Sequence, residues 1–239
     1  MPQNPLRINR ENAVRRQRVL IVFFSFSSQT RNLLLGLGKG LGEYDIDVEW
    51  QQLKSLKAAQ FPPGSYMATL KMMLTTFFRR REPIERLNPD LFRSWDLIVL
   101  AGPTWSYNPS GPVLSLLDRD GERLFHNQTV LPFISCRGYW RMHHWVLRGL
   151  LQRKGAHVLR PVVFAHPVAE PWRTIGVFMK LAGKTPESGK SWFHHFYPKY
   201  GHSNRQMNNA KAIGLILGKY IQEKKDLEGL RFPTPVPVE

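Results

Sequence analysis

Three short stretches of this chain carry side chains whose type and spacing suit ligand chemistry. The first is residues 25–30, Ser25, Phe26, Ser27, Ser28, Gln29 and Thr30. Four hydroxyls and an amide lie between an apolar run and a helix start. There the first backbone N–H groups of the helix lack intrahelical partners and favour an anion. The loop holds no lysine and no Gly-x-x-x-x-Gly-Lys pattern, which argues against a triphosphate loop. No Gly-x-Gly-x-x-Gly is present for a dinucleotide. A monophosphate fits what remains, and an N-cap cluster that merely starts the helix is the plainer alternative.

The second stretch is Gly102, Pro103, Thr104, Trp105, Ser106 and Tyr107, and the third is Ser135, Cys136, Arg137, Gly138, Tyr139 and Trp140. The aromatics offer large flat faces for a ring system, with ordinary packing as the alternative. Arg137 supplies a positive charge. Cys136 reads as a small buried residue, because no partnered base lies near it in sequence. The pairs His143, His144 and His194, His195 make poor chelates, since adjacent helical residues do not share a face, so no metal is expected. No hydrolase elbow Gly-x-Ser-x-Gly occurs, and no catalytic side chain can be named.

The elements that position these stretches follow from hydrophobic periodicity. Residues 19–24, 97–101 and 130–135 are continuous apolar runs, as strands buried on both faces require. Residues 46–50 alternate like an edge strand, and residues 158–164 supply a fifth. Leu33, Leu34, Leu37 and Leu41 mark a helix after the first strand. Helices are also expected at about 112–117, 140–153 and 210–221. Strands alternating with helices predict an α/β fold with a doubly wound, five-stranded parallel sheet in three layers. In such a sheet ligands bind at the carboxyl ends of the strands, where all three stretches sit.

These stretches resemble the flavodoxin-like superfamily. Its first loop reads aromatic-x-Ser/Thr-x-x-Gly-x-Thr, and its second reads Gly-x-Pro-Thr/Val-aromatic. The resemblance implies FMN as cofactor. Ser25, Ser27 and Thr30 would give hydroxyls to its phosphate and Gln29 its backbone N–H, while Ser28 stands where the family usually has glycine. It further implies that residues 103–107 meet the flavin, with Trp105 first and Tyr107 second as the stacking ring. Residues 135–138 would flank its other side, with Arg137 near the pyrimidine edge. Around Ser135, Cys136 and Arg137 the chain looks most like flavodoxin-family proteins labelled dialkylresorcinol condensing enzyme. The implied activity is an FMN-dependent oxidoreductase with NAD(P)H as donor and a small organic, quinone-like or lipidic, substrate. The alternatives are an electron-transfer flavodoxin and a flavin-free basic scaffold.

At 239 residues the chain suits one domain with insertions. Residues 1–17 read as a basic extension and 18–222 as the domain. Insertions fall at about 53–94 and about 165–204, and residues 223–239 form a Pro-rich tail expected to be extended and mobile. Within the insertions, residues 66–78 follow a helical period and residues 172–181 are apolar; a lid over the site, core and dimer helices are all open readings. A net charge of +16 predicts attraction to an acidic carrier protein, an anionic membrane surface or nucleic acid. One cysteine, no secretory signal and no run of about 20 apolar residues predict a cytoplasmic protein.

Overall fold

The computed structural model describes residues 16–57 and 61–236; residues 1–15, which hold most of the basic extension, lie outside it. Strand β1 (Gln17–Phe23) leads into α1 (Gln29–Leu41), followed by β2 (Ile46–Gln52), α2 (Tyr66–Phe77) and β3 (Leu97–Trp105). A two-residue β4 (Asn108–Pro109) folds back on β3, and α3 (Gly111–Arg119) and the short α4 (Gly121–Phe125) follow. Then come β5 (Thr129–Cys136), α5 (Trp140–Arg153), β6 (His157–Val158), β7 (Val162–Ala165), α6 (Trp172–Leu181) and α7 (Asn204–Gln222).

The sheet runs β2-β1-β3-β5, with β6 and β7 end to end along the outer edge of β5, and every pairing among these strands is parallel. The expected fifth strand is thus present in two pieces. Pro161 breaks it, because proline has no N–H for the ladder. The same gap explains Pro132 in the middle of β5. Val130 accepts a bond from Leu159 on that edge. Pro132, of the same parity, turns its missing N–H toward the interruption between β6 and β7, where no partner is needed.

Two cores lie on the two faces of the sheet. One packs Val19, Ile21, Val99 and Phe133 against Leu33, Leu37, Ile213 and Leu217 from α1 and α7. The other packs Leu20, Ile98 and Val130 against Val113, Leu116, Leu147 and Leu151 from α3 and α5. The tail does not trail away: Val236 is buried, its N–H donates to the Val163 carbonyl, and Phe232 packs on the first core.

Within the first insertion, Leu53, Ile84 and Leu91 join the second core, whereas α2 is anchored by polar contacts. Buried Asn108 donates to the Phe77 carbonyl at the end of α2 and accepts from Arg79 Nε at 2.9 Å. The Ser106 hydroxyl donates to the Met73 carbonyl and lies 2.8 Å from Thr76 Oγ1. These bonds fix the turn at Ser106 and Tyr107, both of which take positive φ, 42° and 70°, as a type I′ hairpin requires.

Helices α1 and α7 touch backbone to backbone. A Cβ on Gly40 would fall 2.2 Å from the Lys211 carbonyl oxygen, and one on Gly214 would fall 2.2 Å from that of Leu37. Alanine is the better helix former by about 1 kcal/mol, yet Gly214→Ala is expected to destabilise the protein by about 1–3 kcal/mol, because neither backbone can yield. Urea unfolding would show it. Asn108→Ala should cost about 1–3 kcal/mol and expose α2 to hydrogen exchange before the sheet.

Candidate functional site

The carboxyl ends of β1, β3, β5 and β7 open into one cavity of about 210 Å³. Of the residues singled out in sequence, Ser27, Gln29, Pro103, Thr104, Trp105, Ser106, Tyr107, Ser135, Cys136 and Arg137 line it. Ser25, Ser28, Thr30 and Gly138 do not. The Ser25 hydroxyl accepts the Arg31 N–H at 3.3 Å and so caps the start of α1 from within. Thr30 is buried beneath the helix start. Gly138 lies against the Arg173 guanidinium, where a Cβ would come within 2.7 Å.

Ser28 is the N-cap of α1, at φ 60° in the left-handed region, and its side chain caps nothing. The position therefore needs the conformation that glycine adopts without strain, and serine holds it at a cost. Because the Ser28 side chain caps nothing and Ser25 takes only the Arg31 N–H, the N–H groups of Gln29 and Thr30 remain directed at whatever occupies the loop.

Trp105 stands edge-on between Phe24 and Phe26, each centroid 5.4 Å away, which fixes its plane. Tyr107 is more exposed and meets Tyr139 across the mouth at 5.2 Å. Arg137 lines the cavity with a buried Nε that has no partner. Burial pushes the Cys136 thiol up to about 12, against the smaller opposing influence of Arg173. It is protonated and inert at neutral pH.

The sequence reading missed the side of the site built by the second insertion. Tyr200, Gly201 and His202 come down onto the first loop. The Gln29 amide oxygen accepts the His202 N–H at 2.9 Å, and the Tyr200 hydroxyl is hydrogen-bonded to Ser27. Gly201 sits at φ 88°, and a Cβ there would fall 2.1 Å from the Gln29 side chain. Gln206 donates its amide to the Ala165 carbonyl and so turns its oxygen toward His202 Nδ1, at 3.2 Å. His202 therefore carries its proton on Nδ1, and Nε2 accepts from the Ser135 hydroxyl at 2.8 Å. The one local signal for this assembly was Ser203 followed three residues on by Gln206, which forms a capping box at the start of α7.

Serine, histidine and an amide in a row suggest a nucleophile, but the electrostatics deny it. Burial lowers His202 to about 4, and Gln206 offers no negative charge to stabilise an imidazolium. His166 is lowered to about 3 by burial first and then by nearby His202 and Arg173. Its Nδ1 accepts the Val168 N–H at 3.2 Å, so the proton of the neutral ring sits on Nε2, 3.1 Å from the Tyr197 hydroxyl oxygen, and a second proton on Nδ1 would face a donor. His143, buried under β3 and bonded to Thr104 Oγ1 at 2.8 Å, is lowered to about 3 for the same leading reason. All three are neutral struts. The site can orient a ligand and surround it with fixed dipoles and one or two guanidinium groups.

No family model and no curated protein matches the chain. Solved structures do. A flavodoxin from the domain Archaea aligns over 86% of this chain and 99% of its own, at 12% identity and a TM-score of 0.51. A flavoprotein in complex with FMN from Lactobacillus acidophilus aligns over 62% and 92%, at 21% identity and a TM-score of 0.49. Oxidised Flavodoxin 1 from Bacillus cereus aligns over 85% and 99%, at 12% and 0.49. The likeness to the archaeal flavodoxin is one of fold: this chain is an α/β protein with a flavodoxin-like parallel sheet flanked by helices.

Two outcomes follow from the local energetics. Ser28→Gly should raise stability by about 1 kcal/mol, read as a higher urea midpoint. The three histidines have folded pKa values below the unfolded value of about 6.5, so the unfolded chain binds more protons below that pH. Stability should hold above pH ~6.5 and fall as pH drops toward ~4, with a limiting slope of about 1.4 kcal/mol per pH unit for each histidine. His202→Gln should flatten that slope by about one proton's worth, measured by urea unfolding at several pH values.

Proposed function

We propose that the protein binds FMN and acts as an oxidoreductase on a small organic substrate, with NAD(P)H as hydride donor. The observation that carries the reading is the convergence, on one cavity, of the hydroxyl-rich start of α1 with the aromatic turn of β3 and the Arg137 loop. The buried, unpartnered Arg137 Nε fits an acceptor oxygen of a bound ring. The left-handed N-cap, whose side chain leaves the Gln29 and Thr30 N–H groups open, fits a phosphate. A ring in the cavity would leave its phosphate end at the start of α1, beside Ser27 and Gln29.

When bound, the flavin supplies two-electron chemistry, and the protein supplies binding, orientation and charge. Ser27 is the candidate phosphate hydroxyl, Trp105 the fixed aromatic wall, and Tyr107 with Tyr139 the exposed rim. Because the Ser135 proton is committed to His202, its oxygen presents lone pairs to the cavity and suits a ligand N–H. Arg137 places positive charge beside the ring, which favours the reduced form. Met72, Met73, Val177 and Leu181 add an apolar wall that suits a quinone-like or lipidic substrate and keeps water from the reacting face.

Titration with FMN should quench flavin fluorescence, and riboflavin, which lacks the phosphate, should bind about 10–100-fold more weakly, the loss expected for charge-assisted hydrogen bonds. Ser27→Ala should narrow that gap, and Arg137→Ala should lower the reduction potential of the bound flavin. Steady NAD(P)H oxidation with a quinone acceptor would support the enzyme. No spectral change on adding FMN would refute the reading.

A further inference from the structure

Helix α2 is built inside out. At about 100° per residue, Tyr66, Met67, Leu70, Lys71, Leu74, Phe77 and the following Phe78 fall within an arc of about 140°. That arc is the one facing solvent: its apolar members are 47–77% exposed. The opposite face buries Thr69 and Thr76 and sends Met72 and Met73 to the cavity. A surface helix ordinarily turns its large apolar side chains inward. Here the polar hydroxyls face the protein, and six large apolar side chains are left in water.

Charge identifies what covers them. Helix α2 has no acidic residue, and Arg79, Arg80 and Arg81 follow it before the first carboxylate, Glu82. Arg81 is paired with Asp118. Arg79 spends its Nε on the neutral Asn108 amide, so its charge is not cancelled, and no salt bridge ties Lys71 among the described residues. Helix α6, linked to the α2 segment by the Gly64 N–H and Leu181 carbonyl, likewise has no carboxylate and exposes Ile175. A second copy docked by two-fold symmetry would set this cationic patch against itself. Nucleic acid would neutralise the arginines but leave Met67, Leu70 and Leu74 wet.

We propose that the exposed face of α2 docks on an anionic lipid bilayer. The apolar arc sinks about 5–10 Å into the interface, while Lys71 and Arg80 meet lipid phosphates. Since Met72 and Met73 on the opposite face line the cavity, docking sets the mouth of the site one helix diameter from the lipid. The proposal does not depend on flavin binding.

Flotation of the full chain with vesicles of phosphatidylcholine containing one third phosphatidylglycerol tests it. Binding is expected at low salt, weaker at high salt and much weaker on pure phosphatidylcholine. The double variant Leu70→Glu with Phe78→Glu, both exposed and so compatible with folding, should lose about a hundredfold. Arg80→Ala should lose about fivefold, and both should keep the wild-type melting temperature. Absence of flotation, or equal binding by the double variant, would overturn the proposal. So would a concentration-dependent dimer that the double variant dissolves, or RNA binding that the double variant weakens as strongly.

Discussion

The neutral ring of His202 joins parts of the chain that the parallel sheet leaves independent. Its backbone N–H is held by Gln29 at the start of α1, its Nε2 by Ser135 at the end of β5, and its Nδ1 by Gln206 at the start of α7. Gln206 in turn holds the Ala165 carbonyl at the end of β7. A ring buried among fixed donors and acceptors is stable only while uncharged, and a second proton would fall on Nε2, where the Ser135 hydroxyl now donates. The same burial that makes His202 a poor base makes it a rigid strut. Site geometry and acid sensitivity therefore have one cause.

Much of this was legible in the sequence because it follows from local rules. Continuous apolar runs gave β1, β3 and β5, and the loops after them were read as one site on the general behaviour of parallel sheets. Ser28 was read as a glycine position, and its φ of 60° is what such a position demands. What was not legible depends on contacts distant in sequence. Tyr200 and Gly201 reach Ser27 and Gln29 across more than 170 residues, with no periodic signal in a segment lacking a long element. The divided fifth strand followed from Pro161, which looked like a strand residue until its edge was seen. The tail was read as loose from its prolines, but Phe232 and Val236 find an apolar face at β7 that only the folded sheet creates.

The second insertion does more than decorate the last connection. Trp172 stacks on Phe196 at 4.2 Å, Gly176 lies so close to the Tyr197 ring that a Cβ would fall 2.3 Å from it, and Tyr197 bonds His166. Aromatic packing thus holds α6 and the descending segment as one unit, and the unit delivers Val177, Leu181, Tyr200 and Gly201 to the cavity together. A minimal sheet of this order would leave that side of the cavity to solvent.

Helix α2 of the first insertion meets the other side by the opposite chemistry. Apolar packing would bury the side chains of α2 and leave it free to slide, since hydrophobic contact has no direction. Hydrogen bonds from Ser106 and Asn108 to the carbonyls of Met73 and Phe77 have direction, and they fix both the height and the rotation of the helix. That rotation points Met72 and Met73 into the cavity and the aliphatic arc outward. The strained turn at Ser106 and Tyr107 and the exposed apolar face are therefore two consequences of one latch. If the latch sets the aromatic rim of the site, it also sets which face of α2 the molecule shows to its surroundings.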